Sequence, residues 1–166
     1  WSALRWSDFS ILNPEHIIRD GEDYYLNKFN EKTNKEVFVP IDARLYQLLE
    51  KYNFKSTSIS NQKFNDYLKE VFQVVGIVDE INVRASVKGE MKDVRYSKCD
   101  IVSAHDGRRT WASINYLKGY PIGLLMQVTG HEKEETFLSY VGVSALEKAR
   151  RLNAEMKKRN LSTSIY

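Results

Sequence analysis

Residues 103–160 read as four consecutive helices, each marked by its own start or stop signal, and this run constrains the fold more than any other stretch. Ser103 predicts the cap of a helix over 104–117 that Gly119 ends, and Pro121 predicts the start of a shorter one stopped at Thr129-Gly130. About two turns follow over 134–141, and Ser144 with Glu147 forms a capping box for a last helix to about Asn160. Further upstream, Leu4, Phe9, Ile11 and Leu12 predict a short helix stopped by Asn13-Pro14. Asp42 caps a helix with Leu45, Leu48, Leu49 and Tyr52 on one face. Ser60 opens another, with Phe64, Tyr67, Leu68, Val71, Phe72 and Val75 inward and Gly76 at its end. Strands are expected only in two antiparallel hairpins. One joins 24–29 to 36–39 through a polar connection, and the other joins 83–87 to 91–96 through Lys88-Gly89. The fold class is α+β, mostly helical with small hairpins.

At 166 residues this is one ordinary domain, and 42% apolar with 12% aromatic residues can fill its core. No apolar run approaches the roughly 20 residues of a membrane span, and the amino terminus is not a signal peptide. The single cysteine, Cys99, excludes an intrachain disulfide and a cysteine-based zinc site and suits a reducing compartment. A soluble cytoplasmic domain spanning 1–166 is therefore expected. With no methionine ahead of Trp1, the chain reads as a fragment whose upstream domain is missing.

The net charge is only +3, but cations gather in two places. Arg84, Lys88, Lys92, Arg95 and Lys98 outnumber Glu90 and Asp93; after Tyr140 come Lys148, Arg150, Arg151, Lys157, Lys158 and Arg159. Such stretches suit either an anionic polymer or plain solvation.

Four local features can carry chemistry. His105 and Arg108, three apart at a helix amino end, share a face where anions are favoured, although taken alone a capped surface helix with an ordinary arginine is the simpler explanation. Gly130-His131 follows a helix stop, with Tyr140 nine positions on; among ten tyrosines, one in Phe137-Leu138-Ser139-Tyr140-Val141 is ordinarily a packing residue. Arg5 has Asp8 three residues later to orient it, or to form a weak surface pair. Lys32 sits at a hairpin tip, where a lysine is by default merely solvated. No carboxylate cluster has metal-ligand spacing, no glycine-rich phosphate loop is present, and His16 beside Ile17-Ile18 reads as structural.

Taken in order, Arg5, Lys32, His105-Asp106-Gly107-Arg108, Gly130-His131 and Tyr140 resemble the catalytic domain of the tyrosine recombinase (phage integrase) family. The resemblance runs from Leu4 to Tyr140 and is most like integrases of phages and integrative conjugative elements. Ala3-Leu4-Arg5-Trp6-Ser7-Asp8 looks like the first-arginine box, with Ser2-Ala3 in place of the usual Thr-Gly. Lys32-Thr33 followed by Val37-Phe38-Val39-Pro40 looks like the lysine box, and Thr129-Gly130-His131 like the third box.

The resemblance implies a site-specific recombinase that cuts and rejoins double-stranded DNA through a 3′-phosphotyrosine. Tyr140 would be the nucleophile. Arg5 and Arg108 would clamp the non-bridging oxygens bidentately, and His131 would add a hydrogen bond to them. Lys32 would be the general acid, and His105 a base or an orienting donor. It implies no metal and no cofactor, a homo-oligomer on DNA (a tetrameric synapse), no membrane, and an absent amino-terminal DNA-binding domain. The tail helix over 144–160, with Leu146, Ala149, Leu152 and Met156 as a narrow stripe, would dock in its own or a neighbouring protomer. A type IB topoisomerase-like enzyme and a non-catalytic DNA-binding regulator are the alternatives.

Overall fold

The computed structural model describes residues 3–30, 35–56 and 59–163. Along the chain the elements are α1 (Trp6–Ser10), β1 (Ile17–Asp20), β2 (Asp23–Asn30), β3 (Lys35–Ile41), α2 (Ala43–Lys51), α3 (Asn61–Val74), β4 (Glu80–Val87) and β5 (Glu90–Ser97). They continue with α4 (Lys98–Ile101), α5 (Ala104–Leu117), α6 (Ile122–Thr129), α7 (Glu134–Val141) and α8 (Ala145–Thr163). The α+β expectation holds: helices predominate, with one three-stranded antiparallel sheet, β1-β2-β3, and one hairpin, β4-β5. No helix among the described residues is long and apolar enough to cross a membrane.

The caps do what their chemistry allows. The carboxylate of Asp42 accepts from the Leu45 N–H at 2.7 Å, and the Ser60 hydroxyl accepts from the Lys63 N–H at 3.2 Å. Ser144 and Glu147 exchange hydrogen bonds at the start of α8. Gly130 and Gly142 stop α6 and α7 at φ of +65° and +64°, where a Cβ would strain the backbone.

Two clusters make the core. In the first, Leu26 and Val39 sit opposite each other on β2 and β3 and pack with Leu12, Leu45, Leu49 and Val128. In the second, Ala112 and Tyr116 of α5 meet Leu125 of α6 and Phe137 and Val141 of α7. Helix α6 contributes to both, and Trp111 packs against both. That joint fixes α5, α6 and α7 relative to the sheet, which is what the candidate site needs.

Some expectations fail locally. β1 and α4 were not anticipated: four residues each leave too short a pattern to read, and β1 is largely exposed. The inward faces are only half realised. Phe64, Leu68 and Phe72 are partly buried, but Tyr67, Val71 and Val75 are exposed because α3 packs mainly on α4 and α5. Leu48 of α2 and Tyr52, just after it, also face solvent.

Candidate active site

Arg5 is the residue immediately ahead of α1, with extended backbone. Asp8 accepts its backbone N–H at 3.2 Å and the Lys28 ammonium at 3.3 Å. The expected orientation of Arg5 by Asp8 is therefore corrected: the carboxylate fixes the backbone, and its charge partner is Lys28, not the guanidinium. Lys28 was missed by sequence reasoning. It is opposite Val37 and in phase with Leu26, so it lies on the inward face of β2. Burial, reinforced by Arg108 and Arg5, pushes the Lys28 ammonium below the usual lysine value, with Asp8 pulling the other way.

Arg108 stands on α5 and is 4% exposed, a rare state for an arginine. Its Nη1 donates to the Ala3 carbonyl and its Nη2 to the Thr129 carbonyl. The guanidinium thus ties the segment before α1 to the end of α6 and is held in one plane, with further N–H groups left over. Burial, then the charge of Arg5, lowers its pKa. His105, one turn earlier, is exposed and meets Tyr140 edge-on, centroids 5.3 Å apart.

The amino end of α5 is held by side chains as well as by its own backbone. Asn65 of α3 accepts the Ala104 N–H at 2.9 Å, and Asp106 accepts from both the N–H and the hydroxyl of Ser103. The Ala104 N–H at this helix end is therefore taken by a side chain rather than left open.

His131 follows Gly130 and packs on Tyr140 and Phe137, at 4.8 Å and 5.6 Å between centroids. Burial, then Arg108, Arg5 and His105, pushes its imidazole below the ordinary histidine value. The Tyr140 phenol oxygen is buried and has no hydrogen-bond partner among the described groups. It lies beside the Arg108 guanidinium. Burial raises its pKa, and the charge of Arg108 opposes that rise. An unpartnered buried hydroxyl is uncommon enough to require a reason.

Arg5, His105, Arg108, Thr129, His131 and Tyr140 line one cleft of about 590 Å³. Five of the six sequence-predicted site residues thus converge. The sixth, Lys32, lies outside the described residues. Among those described, no group of three His, Cys, Asp or Glu side chains is placed to hold a metal ion. Cations facing a neutral phenol can bind a phosphodiester and stabilise charge that develops on it. Elsewhere part of the expected basic surface is paired: Arg95 with Glu80, Lys98 with Asp79 and Lys158 with Glu155.

No protein-family model and no curated protein matches the chain. Solved structures do. The XerA recombinase is similar at 14% identity and a TM-score of 0.65, over 93% of this chain and 54% of its own. The XerH site-specific recombinase bound to its palindromic difH substrate, a post-cleavage complex, has 15% identity and a TM-score of 0.62 over 90% and 41%. The Tn1549 transposon integrase in complex with circular intermediate DNA has 14% identity and a TM-score of 0.53 over 93% and 53%. The chain therefore has the fold of a tyrosine recombinase catalytic domain and spans about half the length of these proteins.

Proposed function

We propose that the chain is the catalytic domain of a site-specific DNA recombinase of the integrase type, acting on double-stranded DNA as a homo-oligomer. The observation that supports this most is the meeting of Arg5, Arg108, His131 and His105 around the buried Tyr140 phenol, from segments that span most of the sequence. Recombinases with this fold, among them one in a post-cleavage DNA complex, support it further.

In this reading a scissile phosphate lies in the cleft with its non-bridging oxygens against Arg5 and Arg108. The Tyr140 oxygen attacks phosphorus, the bond to the 5′-oxygen breaks, and a 3′-phosphotyrosine remains. The phenolic proton leaves toward His105 or water, and Lys32 protonates the departing 5′-oxygen. The 5′-hydroxyl of a second duplex then reverses the step, so the energy of the phosphodiester is retained. Negative charge grows on the non-bridging oxygens in the transition state, so fixed guanidinium groups act where charge develops; losing one such donor costs about 10²–10³ in rate. The rigid tie of Arg108 to Ala3 and Thr129 is the preorganisation this requires.

A nicked suicide duplex carrying a candidate recombination-site sequence tests the reading in the full-length protein. Strand transfer to a second duplex is expected. Resealing of the same strand alone would point to relaxation, and DNA binding without cleavage to a regulator.

A further inference from the structure

One residue at the end of α6 reaches both an arginine and a histidine of the cleft. Thr129 is 1% exposed, and its carbonyl receives the Arg108 guanidinium. Its hydroxyl donates back along the helix to the Leu125 carbonyl at 2.7 Å. A hydroxyl carries a single hydrogen. With that hydrogen spent, the oxygen meets His131 Nδ1, 2.8 Å away, as an acceptor, so Nδ1 carries the hydrogen. We propose that Thr129 is a positioning residue that holds His131 as its Nδ1–H tautomer, so that Nε2 of the neutral ring is bare and must gain a proton before it can donate to a phosphate oxygen. The phosphate part rests on the recombinase reading above; the tautomer does not.

The consequence is a linkage between anion binding and proton uptake. The groups that act on the ring or share its cavities are Arg108 and His105 from α5, Arg5 ahead of α1, Tyr140 from α7, Glu36 from β3 and the neighbouring Glu132 and Lys133. The cations and burial keep the ring neutral near pH 7. A phosphodiester against Arg108 adds negative charge to the same cleft and raises the affinity of Nε2 for a proton. Binding therefore takes up a proton, and the His131 contact is lost as pH rises through the pKa of the complex. A valine at position 129 keeps the shape but has no oxygen. The neutral ring is then free to carry its hydrogen on Nε2, which donates without protonation.

Proton-detected ¹⁵N spectroscopy of the imidazoles in the DNA-free 166-residue chain reads the tautomer directly, with His131→Gln for assignment. At a pH where the ring is neutral, the wild type and Thr129→Ser are expected to show Nδ1–H with a bare Nε2. Thr129→Val is expected to shift toward Nε2–H. A wild-type Nε2–H ring, or a Thr129→Val ring indistinguishable from wild type, overturns the proposal. In the full-length protein, covalent-adduct formation should show a His131 limb that falls with rising pH in wild type and Thr129→Ser and flattens in Thr129→Val. A limb that persists in Thr129→Val also overturns it. Absence of any adduct with the expected tautomer in place supports the Thr129 assignment and defeats the recombinase reading instead.

Discussion

Arg108→Lys separates charge from geometry at the centre of the cleft. The guanidinium bridges two backbone carbonyls from distant segments, that of Ala3 ahead of α1 and that of Thr129 at the end of α6, and both residues are buried. A lysine ammonium keeps the positive charge and can reach one of these carbonyls, but it has no planar fork to span both. One buried carbonyl without a donor costs about 1–3 kcal/mol. For a domain of this size each kcal/mol lowers the melting temperature by about 2–4 °C, so thermal unfolding followed by circular dichroism should show a drop of roughly 2–12 °C. DNA affinity in the full-length protein should change little, since the charge survives. The cleavage rate should fall by about 10²–10³, the cost of one misplaced transition-state donor. An unchanged melting temperature would refute the double tie. A loss confined to DNA affinity, with cleavage of the bound complex unaltered, would refute the clamp.

Three other outcomes follow from the same geometry. Because the Tyr140 oxygen is buried without a partner, Tyr140→Phe should abolish the covalent adduct while leaving the melting temperature unchanged or raised; a loss beyond about 1 kcal/mol would mean that the hydroxyl is bonded. Lys28→Met takes the counter-charge from Asp8, which keeps only the Arg5 N–H, and should cost up to about 3 kcal/mol in denaturant unfolding, with part of the loss recovered in the double variant with Asp8→Asn; additive costs would show that the pair is not coupled. The folded state holds the His131 pKa below its unfolded value, so the unfolded chain binds more protons between the two. Stability should therefore fall as pH drops from about 6.5 through the folded pKa, and His131→Gln should flatten that slope; an unaltered slope would contradict the burial of the ring.

Local chemistry made much of this molecule readable in advance. Stops at Gly119 and Gly130, caps at Asp42, Ser60, Ser103 and Ser144, and the Lys88-Gly89 turn, where both residues have positive φ, are signals that neighbouring residues alone decide. The ordered set Arg5, His105, Arg108, His131 and Tyr140 was visible as a pattern, and its convergence then required that α5, α6 and α7 pack together and that the segment ahead of α1 dock on Arg108. Lys28 was invisible for a different reason. A lysine on a strand is ordinarily solvated, and what buries this one is Asp8, on a different element; the phase Tyr24, Leu26, Lys28 was the available hint. Likewise Asn65 takes the Ala104 N–H from 39 positions away, a partner that no local signal announces. The partners of Arg108 are backbone carbonyls, which carry no side-chain signature in a sequence at all.

In the proposed reaction the Tyr140 phenol receives a phosphate held by the two arginines. Protease digestion and mass spectrometry of the covalent complex between the full-length protein and a nicked suicide duplex test it most directly. A single nucleotide-bearing peptide is expected, with the modification on Tyr140, missing in Tyr140→Phe. A nucleotide on any other residue, or an undiminished adduct in Tyr140→Phe, would contradict it.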